Sequence, residues 1–296
     1  MNTIVTLIAN PEACTLDEDT VAAVAAMLPG ATTDWLSPGR AADIVAPAPI
    51  DEALRDELAT RFEGQAIDVA VQTVSPEKRR KKILIADMDS TMIRQECVDE
   101  LADEAGVGEY VASITARAMN GEIGFEGALR ERVGLLKGLP VATIDKVIAE
   151  RIRLMPGGPE LIATMKANGA WCVLVSGGFT DFTDRIAGMI GFQETRANRL
   201  VKADGKLTGE VVEPILGRQA KADALTEISA RLGLTPDDAI AVGDGANDLS
   251  MLAMAGTGVA LHAKPSVAAQ AKIRVDRNDL IALLYIQGYR DADIVR

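Results

Sequence analysis

Histidine is almost missing from this chain of 296 residues: His262 is the only one. That argues against a Ser-His-Asp triad or a histidine-ligated metal as the main chemistry. Cysteine is scarce too. Cys14, Cys97 and Cys172 are far apart and odd in number, which offers neither a zinc spacing nor a disulfide framework. Cys97 and Cys172 stand in apolar surroundings and read as core fillers. Aromatic residues make up only 3% of the chain, so Ala, Val, Leu, Ile and Met must fill the core, which a 48% hydrophobic content allows. No run of about 18 apolar residues occurs, so no transmembrane helix is expected. Met1-Asn2-Thr3-Ile4 lacks a basic segment leading into an apolar stretch, so no secretory leader is expected and the cytoplasm is the default location. Positive charge is in deficit. A formal net charge of −12 argues against non-specific binding to nucleic acid or to anionic membrane. An anionic substrate held by a local cluster of Lys, Arg and metal stays open.

The length suggests two domains, or one with an insertion. Residues 3–9 read as a strand, 16–28 as a helix with Asp17, Glu18 and Asp19 at its start, and 31–36 and 42–47 as strands joined by Ser37-Pro38-Gly39. Residues 50–63 read as an amphipathic helix and 66–74 as a strand. The order β-α-β-β-α-β is the ferredoxin-like pattern. Ser75 to Lys82 is a polar, strongly basic stretch that reads as a solvated linker and domain boundary (76–82). From residue 83 strands and helices alternate, as in a parallel sheet with helices on both faces. Strands are expected at 83–87, 171–175, 238–242 and 257–261, helices at 158–168, 180–190, 219–232 and 247–254, and a small β region at 193–215. The helical stretch at about 93–153 reads as a cap over the active end.

Four segments carry chemistry. In the first, Ile83-Leu84-Ile85-Ala86 runs into Asp87-Met88-Asp89-Ser90-Thr91. It reads as a buried strand whose end delivers two carboxylates, and chemistry in open α/β sheets sits at that end; an Asp-rich turn is the plain alternative. In the second, Leu174-Val175 leads to Ser176-Gly177-Gly178 before a helix, where glycines and free N–H groups can approach an anion; the alternative is an ordinary strand-to-helix turn. The third is Lys221, near a helix start where the dipole disfavours it; a surface lysine is the plain reading. The fourth is Gly243-Asp244-Gly245-Ala246-Asn247-Asp248 after a buried strand. Asp244 and Asp248, with Asp87, supply oxygen ligands suited to Mg²⁺, and the spacing does not fit a twelve-residue calcium loop.

In order and spacing these segments resemble the motif set of the haloacid dehalogenase-like phosphohydrolases, over residues 83–275. Within that superfamily the chain is similar to the phosphoserine phosphatase family. The resemblance rests on Asp87-Met88-Asp89-Ser90-Thr91-Met92-Ile93, Glu96, Phe125-Glu126-Gly127-Ala128-Leu129-Arg130-Glu131-Arg132-Val133, Met155-Pro156-Gly157, Ser176-Gly177-Gly178-Phe179 and Gly243-Asp244-Gly245-Ala246-Asn247-Asp248. Residues 1–75 resemble, in pattern only, the ACT-like domain that some members carry. The implied fold is α/β: a Rossmann-like parallel sheet at 83–296 with an inserted helical cap, plus an N-terminal ferredoxin-like α+β domain.

The resemblance implies Mg²⁺-dependent hydrolysis of O-phospho-L-serine through an aspartyl-phosphate, the last step of serine biosynthesis. Asp87 is the implied nucleophile and Asp89 the general acid/base. Asp87, Asp89 through its carbonyl, and Asp244 are the implied metal ligands, with Asp248 and Asn247 nearby. Lys221 and Ser176 would neutralise the phosphoryl group. Glu96 would meet the substrate ammonium and Arg132 its carboxylate, Gly177 and Gly178 would add N–H donors, and Met119 and Phe125 would close an apolar wall. Read from the residues alone, Glu96 and Arg132 are an ordinary helix-surface charge pair, and Met119 and Phe125 are cap packing. His262 reads as having no chemical role. Two other functions stay open: a related phosphatase or phosphotransferase acting on another small phosphomonoester, and a ligand-sensing or assembly module at 1–75. ACT-like domains bind amino acids or pair with themselves, so a homodimer stays open as well.

Overall fold

The structure is a computed structural model that describes residues 2–119 and 122–296, with Met119 described by its backbone alone. The first unit runs β1 (Asn2–Ala9), α1 (Glu18–Ala25), β2 (Thr32–Ser37), β3 (Ala41–Ala46), α2 (Glu52–Thr60) and β4 (Ile67–Val74). Its antiparallel sheet has the order β2-β3-β1-β4. Both helices start on an aspartate cap: Asp17 accepts from the Thr20 N–H and Asp51 from the Leu54 N–H. Alternation along β1 sends Val5, Leu7 and Ala9 into the core beneath these helices. Ile8 faces the other way and joins the main core of the chain.

The basic stretch is not a solvated linker. It forms α3 (Pro76–Arg79), and Arg79 grips buried Asp43 with two bonds, Nη1 to Oδ2 at 2.6 Å and Nη2 to Oδ1 at 2.8 Å. The same guanidinium donates to the carbonyls of Ile286 and Tyr285. Lys81 is buried as well and donates to the Asp237 carbonyl at 2.8 Å. Counting charge along the stretch misses this, because each buried cation is matched by acceptors remote in sequence.

The second unit begins with β5 (Ile83–Ala86). Four helices follow: α4 (Cys97–Glu104), α5 (Gly108–Met119), α6 (Phe125–Leu135) and α7 (Ala142–Glu150). The chain continues with α8 (Gly158–Ala167), β6 (Trp171–Phe179), α9 (Thr180–Ile190), β7 (Glu194–Asn198), the hairpin β8 (Leu200–Ala203) and β9 (Lys206–Val211), and α10 (Arg218–Arg231). It ends with β10 (Ala239–Gly243), α11 (Leu249–Met254), β11 (Thr257–Leu261), α12 (Pro265–Ala268), β12 (Ile273–Val275) and α13 (Ala282–Ile286). Six strands form one parallel sheet in the order β12-β11-β10-β5-β6-β7. Side chains of β5 alternate between two cores: Ile83 and Ile85 pack with Leu225 and Ile228 of α10, Leu84 and Ala86 with the core on the other face. Burial on both faces explains why its sequence is continuously apolar.

The β region at 193–215 splits in two. β7 becomes the sheet edge, while the β8–β9 hairpin, turning at Asp204-Gly205, reaches the cap. There Gly138 N donates to Leu207 O, Leu207 N to Leu139 O and Val141 N to Gly205 O. The two chain crossings into the cap also pair with each other, through an antiparallel bridge between Ile93 and Leu154. Segment 276–290, which carries no sequence motif, ties the two sheets together: Asp68 of β4 accepts from the N–H groups of Asp276, Arg277 and Asn278.

Candidate active site

The parallel register sets the ends of β5, β6 and β10 side by side, because Ala86 pairs with Leu174 on one side and Val242 on the other. Asp87, Ser176 and Asp244 therefore leave the sheet at one edge. Lys221, 3% exposed, lies beneath them and is no surface lysine. Its Nζ stands 2.7 Å from Asp87 Oδ1 and 2.6 Å from Asp248 Oδ1. Burial opposes its charge, but Asp248 and Asp87 outweigh burial and raise its pKa above the ordinary lysine value.

Asp87 Oδ1 also accepts the Met88 N–H at 2.8 Å. Asp248 is held at both oxygens, by Lys221 and, through Oδ2, by the Gly245 N–H at 3.0 Å. Asp244 receives the Thr91 hydroxyl at 3.4 Å. Carboxylate oxygens of Asp87, Asp244 and Asp248 lie within 4.8 Å of one another, a buried all-oxygen set that fits a hard divalent cation. Burial first, and Asp87 second, push Asp244 and Asp248 each up to about 7. Glycines make this packing possible by close approach: a Cβ on Gly243 would stand 2.3 Å from Asp248 Cγ, and one on Gly245 would stand 2.2 Å from Asn247 Oδ1.

Asp89 lies half-buried across the cleft. Burial, then Glu96 and Asp87, push its carboxyl well above the ordinary range, against a long bond from the Cys97 N–H at 3.4 Å. A Cβ on Gly178 would come within 3.2 Å of Asp89 Oδ2. The Ser176 hydroxyl oxygen accepts the Gly178 N–H at 2.8 Å, so that N–H is turned inward and the Ser176 proton stays available as a donor.

The cap brings Glu96, at the start of α4, and Phe125, at the start of α6. Glu96 accepts the Ser90 hydroxyl at 2.7 Å, and burial raises its pKa. Phe125 packs where a Cβ on Gly177 or Gly217 would touch it, at 3.1 and 3.6 Å. Among the described residues Glu96 and Arg132 do not pair: Arg132 donates to the Ala128 carbonyl of its own helix, and its charge opposes the rise that burial gives the Asp99 carboxyl. Asn247 is half-buried beside the acidic loop. The side chain of Met119 lies outside the described residues. Cys97 and Cys172 are buried, as core fillers should be.

Three neighbours escaped the sequence reading. Ser90 was in view but had no assigned partner. Buried Asn198, at the end of β7, accepts the Leu216 N–H at 2.7 Å and donates to the Gly177 carbonyl at 2.8 Å, fastening the Ser176 loop to the loop before α10. Nothing local in sequence marks it. Lys264 brings its ammonium within 3.9 Å of Asp244 Oδ2. Its signal is its place, just after the C-terminal end of β11, on the edge where ligands bind in parallel sheets.

This geometry has known counterparts. The haloacid dehalogenase-like hydrolase family matches residues 84–253. A phosphoserine phosphatase of Polaromonas sp. is 48% identical over 208 residues, 69% of this chain and 88% of that protein. The crystal structure of a HAD family hydrolase from Salmonella enterica superposes with a TM-score of 0.87 at 29% identity, covering 98% of this chain and 99% of that one. That of a probable phosphoserine phosphatase from Vibrio cholerae gives 0.76 at 33% identity, covering 99% and 88%. The chain belongs to the haloacid dehalogenase-like hydrolases, on their phosphoserine phosphatase branch.

Proposed function

We propose that the protein hydrolyses O-phospho-L-serine to serine and phosphate through a phosphorylated Asp87. The observation that carries this reading is the state of that carboxylate. Lys221 and the Met88 N–H both hold Oδ1, while Oδ2 accepts no hydrogen bond among the described residues. An oriented carboxylate with one free oxygen suits in-line attack on phosphorus. As Oδ2 bonds to phosphorus the ester P–O bond breaks, and protonated Asp89 gives its proton to the departing serine oxygen. Water then attacks phosphorus and passes a proton back to Asp89, and the Asp87–phosphorus bond breaks. The raised pKa of Asp89 favours the protonated form that the first step needs.

Lys221 and the Ser176 hydroxyl would face the charge on the transferring group; positioning and charge stabilisation are most of what phosphoryl transfer requires. Mg²⁺ held by Asp87, Asp244 and the Asp89 carbonyl, with Asp248 behind, would supply further positive charge there. Glu96 would receive the substrate ammonium and Arg132 its carboxylate, with Phe125, Met119 and Asn247 completing the pocket. Residues 1–75 read as an ACT-like domain, 76–82 as its connector and 83–296 as the catalytic domain of a cytoplasmic enzyme. The test is phosphate release from L-phosphoserine, phosphothreonine and sugar phosphates, with and without Mg²⁺. Mg²⁺-dependent preference for phosphoserine is the expected result. Release with another preference would overturn the roles of Glu96 and Arg132.

A further inference from the structure

A cavity of about 510 Å³ opens where residues 10–12, just after β1, meet the loop after β5 and the segment after β12. Ser90, Arg94, His262 and Arg277 line it, whereas Asp87, Asp89, Asp244 and Asp248 do not. Two arginines and two acids, Glu12 and Asp279, are the charged groups of its lining, with His262 among them. Arg94 and Arg277 are exposed, and among the described residues neither guanidinium makes an ion pair or a side-chain hydrogen bond. Of the two acids on the wall, Asp279 is already engaged, by Arg40 at 3.5 Å and the Ile281 N–H at 2.9 Å. Glu12 is then the one remaining acid of the lining set against two guanidinium groups.

The wall is also fixed in place. Asp68 accepts the Arg277 N–H at 3.1 Å, and the Asn10 carboxamide donates to the Arg277 carbonyl at 2.6 Å. Among the described residues, three other than glycine adopt left-handed backbone. Asp204 belongs to a hairpin turn; the other two, Ser90 (φ 56) and His262 (φ 44), both line this cavity. Uncommon conformations of this kind gather where a surrounding structure enforces them for a purpose.

We propose that the cavity is a second oxyanion site, taking a phosphate or carboxylate group on Arg94 and Arg277 with His262 beside it. Guanidinium groups bind both kinds of group through paired N–H donors, and the volume suits a small ligand. Binding here does not depend on the proposed reaction. It would touch the same loop, because Ser90 lines the cavity and holds Glu96.

His262, as the only histidine, is a unique NMR probe of this cavity. The full chain, without added divalent cation so that the acidic cleft repels anions, is titrated with inorganic phosphate and separately with malonate at constant ionic strength. A saturable shift of the imidazole resonances is expected with at least one of them, and the one that binds identifies the source of the group. Arg94→Ala and Arg277→Ala should each weaken that binding about tenfold or more, with backbone amide spectra confirming the fold. The absence of a saturable shift with both anions, or undiminished binding in both variants, would overturn the site.

Discussion

Lys221 Nζ lies 2.7 Å from one carboxylate oxygen of Asp87 and 2.6 Å from one of Asp248, so a single buried ammonium spans two of the three acids at the sheet edge. Lys221→Met keeps the length of the side chain and removes the charge. Loss of one preorganised charge at a transferring group lowers kcat by about 10²–10³-fold, and that is the expected result for phosphoserine turnover. A variant turning over within threefold of the parent would contradict the role of Lys221.

Asp87→Asn should abolish turnover while leaving the fold intact. The amide keeps the bonds to Oδ1 and removes the nucleophile. Circular dichroism would confirm folding, and steady-state phosphate release would show no activity above background.

Gly243 has no room for a methyl group, since a Cβ there would stand 2.3 Å from Asp248 Cγ. Overpacking of this kind costs roughly 1–3 kcal/mol. Gly243→Ala should lower stability by about that much and displace Asp248. Chemical denaturation with and without Mg²⁺ would read both effects, because a displaced Asp248 also weakens cation-dependent stabilisation.

Protonation of the acids should compete with metal. Asp244 and Asp248 are pushed up to about 7 in the folded, metal-free chain, against an ordinary value near 3.8. Between those values the folded state binds more protons than the unfolded one, so metal-free stability falls as pH rises from about 4 to 7. A bound cation needs the ionised forms. The gain in Tm on adding Mg²⁺ should therefore be larger at pH 8 than at pH 5.5; an equal gain at both would refute the linkage.

Arg79→Ala leaves Asp43, 2% exposed, without its charge partner. Breaking one side of a buried pair costs about 3–5 kcal/mol, so urea unfolding should shift by that order. Replacing Arg79 and Asp43 together by apolar residues should recover much of the loss.

What could be read in sequence follows from range. Asp87, Ser176, Lys221 and Asp244 each sit at a strand end or helix start, and local pattern marks such places. The apolar run of β5 told of burial on both faces before any neighbour was known. Asn198 gave no such sign, because its partners Gly177 and Leu216 lie 21 and 18 residues away and no pattern joins them. Arg79 was misread for the same reason. A basic run looks solvated until Asp43, 36 residues earlier, arrives across the fold. That Arg132 acts on Asp99, 33 residues earlier, rather than on Glu96 could be seen only in three dimensions.

The β8–β9 hairpin gives the cap a second attachment. One is the paired neck at Ile93 and Leu154; the other is the run of backbone bonds from Gly138, Leu139 and Val141 to Leu207 and Gly205. A plate fixed along two separate seams cannot turn about either one without tearing the other. A wholesale swing of all four cap helices would have to break the hairpin seam first. Traffic through the cleft is thereby steered toward bending within the plate rather than a turn of the whole plate.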